Sequence, residues 1–162
     1  MQKKYLTKAQ ALNKLQRYCA YQDRCHSEVR SKLIELGVYG DTLEEVMAEL
    51  IVERFLDEER FARSYVRGKF RLKKWGRIRI NQELRMRKIS AYCTKKGLEE
   101  IEEEEYLACL RTILEKKIQD YARKDDDYTS HQKAAVYANG RGYEYPLIWE
   151  ILREIRGIRV DS

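Results

Sequence analysis

The fold is decided by residues 55–89, which read FLDEERFARSYVRGKFRLKKWGRIRINQELRMRKI. From residue 60 to residue 88 this stretch holds twelve Lys or Arg residues and a single acid, Glu83. The net charge of the whole chain is only +6, so the remainder of the chain is net acidic. Positive charge is therefore concentrated in one part of the molecule, which points to an acidic or anionic partner.

The same stretch predicts a helix with two distinct faces. At about 100° per residue, a stripe roughly 80° wide carries the cations: Arg60, Arg63, Arg67, Arg71 and Lys74. The opposite side carries the apolar residues: Phe61, Ala62, Tyr65, Val66 and Leu72. Asp57 is a favourable N-cap, and the two glutamates that follow it suit the positive first turn of a helix. A solvated helix face is the alternative interpretation of such a stripe, but five like charges along one face repel one another.

A second helix is expected after a break at Trp75 and Gly76. It runs from about residue 77 to residue 88, and its inward residues are Ile80, Leu84 and Met86.

Bulk composition indicates a folded, helix-rich chain of 162 residues. Hydrophobic residues make up 43% and charged residues 37%, with one proline. The sequence has no apolar run long enough to span a membrane and no apolar core of a signal peptide near its start, so a cytoplasmic protein is expected. Four cysteines without a CxxC pair, and two histidines far apart, predict free thiols and no metal site.

Helix-start signals divide the first third of the chain into three short helices. Thr7 and Gln10 form a predicted capping box, Ser27 is the predicted N-cap of the second helix, and Thr42 with Glu45 predicts the cap of the third. Towards the end, residues 102–105 are four glutamates that suit a helix N-terminus, which explains them more simply than catalysis does.

A register test indicates internal repeats. Val38, Ile89 and Tyr143 each follow the second helix of a unit, with spacings of 51 and 54 residues. The positions nine and twelve residues beyond each of them are again apolar: Met47, Leu98 and Leu152, then Leu50, Ile101 and Ile155. We therefore predict an all-α fold of three tandem three-helix repeats, at residues 5–55, 56–101 and 102–160. Repeats that share a core are expected to stack into an elongated, curved rod, with a compact helical bundle as the alternative.

The chain resembles the RecX family, which comprises bacterial regulators of the RecA recombinase. The resemblance rests mainly on the motif LDEERFARSYVR at residues 56–67 and on the pattern GxxxIxxEL at residues 76–84. SEVRSKL at residues 27–33 and GYxxxLIWE at residues 142–150 resemble the corresponding pieces of the first and third repeats. One departure is that Lys88 directly precedes Ile89, where the family usually has a glycine.

The resemblance implies three tandem three-helix repeats and a regulatory, non-enzymatic function. It implies that the protein binds in the groove of the RecA–DNA filament and reduces its ATPase and strand-exchange activity, a function in recombination, DNA repair and the SOS response. The implied partners are the RecA filament and single- or double-stranded DNA. No membrane partner and no cofactor are expected, and a monomer is expected because no long heptad run suggests a coiled-coil dimer. The solvent-side cations are the predicted partner- or DNA-binding residues: Arg60, Arg63, Arg67, Arg71, Lys73, Lys74, Arg77, Arg79 and Arg85.

Three other classes of function compete with this one: an enzyme, a nucleic-acid-binding module, and a scaffold or adaptor that binds other proteins. An enzyme is not expected, because the sequence has no Gly-rich phosphate loop, nucleophile elbow or histidine-centred site. A nucleic-acid-binding module of the helix-turn-helix kind, such as a transcription regulator, would suit three-helix units with a basic helix. Its base-reading face would need Asn, Gln or Ser among the arginines, and residues 60–74 offer only Ser64.

Overall fold

The computed structural model describes residues 5–157, and over this range it contains nine α-helices and no strand. The all-α prediction is confirmed. The helices are α1 Lys8–Tyr21, α2 His26–Glu35, α3 Gly40–Val52, α4 Glu58–Lys73, α5 Arg77–Met86, α6 Ala91–Leu98, α7 Glu103–Tyr121, α8 Asp127–Gly140 and α9 Tyr145–Ile155.

Several helix starts follow the predicted caps. Thr7 and Gln10 form the reciprocal capping box of α1. The Asp57 carboxylate accepts from the backbone N–H of Arg60 at 2.9 Å, which caps α4. Pro146 lies in the first turn of α9, where its missing N–H leaves no helical hydrogen bond unmade.

Two predicted caps are wrong. Helix α2 begins at His26 and α3 at Gly40, so Ser27 and Thr42 lie inside first turns. The Ser27 hydroxyl donates instead to the backbone carbonyl of Arg87 at 3.2 Å. Only four residues, 36–39, separate α2 from α3, and the sharp turn at Gly37 leaves just two of them before α3 begins.

The same turn ends α2, α5 and α8. In each case a residue with positive φ is followed by a buried residue whose N–H donates to the carbonyl five positions back: Gly37 then Val38, Lys88 then Ile89, and Gly142 then Tyr143. This is the Schellman pattern that satisfies otherwise free carbonyls at a helix end. The departure at Lys88 thus leaves the turn intact, with φ at 60° in a lysine.

The chain divides into two compact units. The first comprises the described residues up to Tyr65 together with Leu84–Gly97, and the second comprises Val66–Glu83 together with the described residues from Leu98 onward. Helices α4 and α5 therefore each contribute residues to both units.

In the first unit, α1, α2 and α3 pack around one apolar cluster. Its buried members are Ala11, Leu15, Cys19, Val29, Leu33, Val38, Leu43, Val46, Met47, Leu50 and Leu56. Gly97, inside α6, also belongs to this unit. A Cβ there would lie 2.9 Å from the carbonyl oxygen of Ala62, so the close approach of α6 to α4 requires a residue without a side chain.

In the second unit, α7, α8 and α9 pack on one another. Helix α8 has few large aliphatic residues, and it buries Ala134, Ala135 and Ala138 instead. These small side chains let its backbone lie close to α7.

The apolar face of α4 differs from the predicted one at Leu72, which is 83% exposed. Phe70 is buried in its place, four residues after the buried Val66 and on the same side of the helix. Leu72 follows Phe70 by two residues, or about 200°, and therefore points away from the core. In α5, Ile80 and Leu84 are buried as predicted, but Met86 is 75% exposed, so its predicted inward position is wrong.

Candidate partner-binding surface

The basic run of the second unit occupies residues 67–79, the end of α4 and the start of α5. It contains seven cations and no acid: Arg67, Lys69, Arg71, Lys73, Lys74, Arg77 and Arg79. Seven like charges within thirteen residues create a local positive potential that attracts acidic surfaces or phosphates.

The turn between α4 and α5 is held firmly by the turn between α8 and α9. The N–H of Gly76 donates to the carbonyl of Arg141 at 2.8 Å, and the N–H of Ile78 donates to the carbonyl of Gly142 at 3.0 Å. A Cβ on Gly76 would lie 2.2 Å from the carbonyl carbon of Gly142, so only glycine fits at this contact. This contact between the two turns fixes the direction in which the C-terminal end of α4 projects.

Side chains strengthen the same contact. The Tyr143 hydroxyl donates to the carbonyl of Lys74 at 3.0 Å, and the guanidinium of Arg141 donates to the carbonyl of Lys73. These bonds satisfy two carbonyls at the end of α4 that have no partner within the helix. The side chains of Lys73 and Lys74 remain exposed.

Arg77 is half-buried in the second unit. Its Nε donates to Glu144 at 3.0 Å, its terminal nitrogens lie 2.8 Å from both Glu103 and Glu144, and its guanidinium lies 3.9 Å from the ring centre of Tyr106. The Tyr106 hydroxyl accepts from the Arg77 backbone N–H at 3.0 Å and donates to Glu144. Because its hydrogen bonds are directed inward, Arg77 positions the start of α5.

Burial and the neighbouring groups both shift the pKa values of Arg77 and Tyr106. Burial would lower the pKa of the Arg77 guanidinium, but the hydrogen bond to Glu103 and the charge of Glu144 outweigh it and raise the pKa. Burial, together with the hydrogen bond to Glu144, raises the pKa of the Tyr106 hydroxyl. Both shifts move the pKa values further above neutral pH.

Trp75 anchors two further cations of the run. The Arg79 guanidinium lies 4.0 Å from the centre of its ring, and the Lys69 ammonium lies 4.9 Å from it. Both distances fall within the range of cation–π attraction. Lys69 and Arg79 are half-buried, and each is drawn towards the ring.

Within the basic run, Arg71, Lys73 and Lys74 are all exposed. Arg67 is exposed as well, but its guanidinium pairs with Glu100 at 3.4 Å. Of the six predicted site residues in this unit, the structure thus brings Arg71, Lys73 and Lys74 to one exposed helix end. We call these three residues the basic tip.

The three predicted site residues of the first unit have different surroundings. Arg60 pairs with Asp23 at 3.0 Å and donates to the carbonyls of Arg54 and Phe55, so it holds the turn that follows α3. Arg63 lies 3.9 Å from Glu59 on the same helix. Arg85 is exposed on α5.

Sequence reasoning missed the residues that hold the end of α4 and the start of α5 in place: Tyr106, Arg141, Tyr143 and Glu144. Local patterning gives little signal for them, because they lie 29 to 69 residues from the groups that they bind. Gly76 and Gly142 gave one signal of a contact between their turns, because each begins one of the motifs GxxxIxxEL and GYxxxLIWE.

Within the described range, no three His, Cys, Asp or Glu side chains come together as metal ligands. Across the same residues, no helix is long and apolar enough to cross a membrane. The fold and this surface define a class, that of all-helical proteins made of three-helix domains with a basic exposed tip.

Comparison with known proteins gives the family. Residues 57–98 match the second three-helix domain of RecX, and residues 103–152 match the third. Together these matches cover more than half of the chain, which therefore belongs to the RecX family, a family of regulatory proteins.

Individual relatives support the assignment. The regulatory protein RecX of Prosthecochloris aestuarii is 26% identical over 145 residues, which are 90% of this chain and 93% of that protein. The regulatory protein RecX of Clostridium acetobutylicum is 29% identical over 135 residues, which are 82% of this chain. The chain spans only 62% of the length of that second relative.

Two solved structures share the fold. The crystal structure of RecX from Lactobacillus salivarius superposes with a TM-score of 0.85 at 24% identity, covering 93% of this chain and 97% of that one. A crystal structure of regulatory protein RecX superposes with a TM-score of 0.80 at 22% identity, covering 89% of this chain and 70% of that one.

Proposed function

We propose that this protein binds the RecA–DNA filament and mainly inhibits the recombinase, its ATPase and strand exchange. The proposal joins the family membership to the function that the resemblance to RecX implies. The observation that carries it is the run of seven cations without an acid at residues 67–79, with the basic tip at its exposed helix end. As parts of the same proposal, the protein acts in the cytoplasm and as a monomer.

The basic tip is the part of the predicted site on which we centre the contact. Arg71, Lys73 and Lys74 are exposed, whereas Arg60 and Arg77 hold the protein's own turns. Arg63 and Arg67 have glutamates close by, so reversing their charge would also alter the protein's own ion pairs. Exposed cations that make no such contacts can be changed with little effect on stability.

The test reverses the charge of the tip in the variant Arg71→Glu, Lys73→Glu, Lys74→Glu. The matched control is Lys116→Glu, Arg123→Glu, Lys124→Glu, which makes the same change of charge at three exposed positions of the second unit. Cosedimentation with cognate recombinase filaments on single-stranded DNA, with and without ATP, measures binding. The filament ATPase and strand exchange measure inhibition.

The expected result is that the tip variant loses binding and inhibition while the control keeps both. The logarithm of the binding constant should also fall linearly with the logarithm of the salt concentration. The slope should be about −0.7 for each single-strand phosphate that the tip neutralises. Full inhibition by the tip variant would overturn the role of the tip. Selective duplex binding with no effect on the filament would favour the helix-turn-helix alternative.

A further inference from the structure

Helix α4 carries an exposed strip that the packing of this chain does not explain. Gly68 and Leu72 lie four residues apart, on the same face of the helix, in the second unit. Leu72 is 83% exposed, and a Cβ added to Gly68 would meet nothing within 4 Å. Gly68 itself is half-buried, but the space that a side chain there would fill is open, and the side chain of Leu72 is exposed.

Glycine at position 68 has no explanation within this chain. At Gly76 and Gly97 an added Cβ would come within 3 Å of backbone atoms of a neighbouring segment, so glycine is required there. Gly68 lies in the middle of a helix, where alanine is more favourable because it loses less conformational freedom on folding. A partner whose backbone comes close to α4 would account for the missing side chain.

Positive charge borders the strip on both sides. At about 100° per residue, Arg71 falls on one side of Gly68 and Leu72, and Lys69 falls on the other. Lys73 and Lys74 follow Leu72 directly and are exposed. An aliphatic residue between cations matches a partner that offers both an apolar side chain and carboxylates.

We propose that the strip of Gly68 and Leu72 docks an acidic segment of a partner protein, which packs closely on Gly68 and buries Leu72. This inference rests on the proposed function and makes the recombinase itself, rather than its DNA, the partner of α4. A phosphate backbone supplies negative charge to Arg71 and its neighbours, but it has no aliphatic group to cover Leu72. Burying an exposed leucine at an interface is favourable in proportion to the apolar area removed from water.

The test compares Gly68→Ala and Leu72→Ala with a matched pair on α8. Val136 and Gly140 are also four residues apart on one helix, Val136 is exposed, and a Cβ on Gly140 meets nothing within 4 Å. The controls are therefore Val136→Ala and Gly140→Ala. Each variant is measured for cosedimentation with recombinase filaments on single-stranded DNA, for binding of the same DNA without recombinase, and for thermal unfolding.

Leu72→Ala should weaken filament binding by about tenfold, as expected for a leucine buried at an interface. Gly68→Ala should weaken it severalfold while raising the melting temperature, a combination that no loss of folding produces. Binding of DNA alone should be unchanged in both variants, and both controls should bind filaments as the unchanged protein does.

Three results would overturn the inference, and together they separate it from the proposed function. Full filament binding by Gly68→Ala and Leu72→Ala, with binding lost in the variant of the basic tip, would refute the docking strip and leave the proposed function standing. Equal losses on filaments and on free DNA would make the strip a nucleic-acid contact. Failure of the unchanged protein to cosediment with the filaments would refute the proposed function and, with it, the docking strip.

Discussion

Two parts of the basic run at residues 67–79 differ in the contacts and the exposure of their cations. Arg77 is drawn into the second unit by Glu103, Glu144 and the ring of Tyr106. Arg71, only six residues earlier, is exposed. We call residues 76–77 the inner segment and keep the name basic tip for Arg71, Lys73 and Lys74. The difference teaches that the density of cations in a sequence does not tell which of them are available to a partner.

The largest expected effect follows from the inner segment. Gly76→Ala places a Cβ 2.2 Å from the carbonyl carbon of Gly142, so the two turns must move apart. The free energy of unfolding should fall by about 3 kcal/mol, the upper part of the range for overpacked sites. Urea unfolding followed by circular dichroism measures the change.

Gly68→Ala is the control for this substitution, because it adds the same methyl group to open space. It should raise the free energy of unfolding by about 0.5–1 kcal/mol. Similar losses of stability in both variants would show that the turn contact at Gly76 does not distinguish the two sites.

The sequence predicts the local features of the two parts of this run, but not the contacts between residues far apart in the chain. The helices, the break at Trp75 and Gly76 and the buried Val38, Ile89 and Tyr143 follow from periodicity, because these are local patterns or regular spacings. The surroundings of Arg77 do not, because its partners lie 26 to 67 residues away and reach it only through the packing of other helices.

Errors at single positions have local physical causes. Leu72 was predicted to face inward because it is apolar, but the core face of α4 is already formed by Val66 and Phe70. Ser27 and Thr42 have the residue types of N-caps, yet α2 and α3 each begin before them. The three-repeat boundaries and the partner-binding residues remain proposals.

A smaller effect is expected from the charge of the inner segment. Arg77→Met keeps the aliphatic stem but removes the guanidinium, leaving Glu144 and Glu103 without their cation. The free energy of unfolding should fall by about 2 kcal/mol, the range for hydrogen bonds to charged groups. The matched variant Arg71→Met in the basic tip should change it by less than about 0.5 kcal/mol.

A double-mutant cycle sharpens this difference. If Arg77 acts through Glu144, the loss in Arg77→Met combined with Glu144→Gln should be smaller than the sum of the two single losses. Additive losses would mean that the ion pair contributes nothing, and equal losses in Arg77→Met and Arg71→Met would remove the distinction between the two parts of the run.

The inner segment should also make stability sensitive to alkaline pH. The pKa of Tyr106 is raised in the folded state, by burial first and by its hydrogen bond to Glu144 second. The unfolded tyrosine ionises near pH 10, so its contribution to stability is complete below about pH 10 and is lost as the pH rises towards the folded pKa. The loss should approach about 1.4 kcal/mol per pH unit for this group.

The test measures the free energy of unfolding in urea for the unchanged protein and for Tyr106→Phe, between about pH 8 and about pH 11. Any pH dependence of the difference comes from Tyr106, because the other titrating groups are common to both proteins. The stability difference between them should shrink above about pH 10. A difference that stays constant over this range would contradict the raised pKa.

The smallest effect concerns the basic tip, where function and stability oppose each other. Lys74 has a φ of 59°, in the left-handed region that favours glycine. Lys74→Gly should therefore raise the free energy of unfolding by about 1 kcal/mol, while the loss of one cation weakens filament binding. Lys73→Gly removes the same charge from the last residue of α4, where glycine should lower stability by about 1 kcal/mol. If Lys74→Gly and Lys73→Gly change stability in opposite directions but weaken filament binding to a similar extent, then the lysine at position 74 is kept for its charge, although glycine would relieve the backbone strain there. Unchanged binding in Lys74→Gly would remove that reason for its presence.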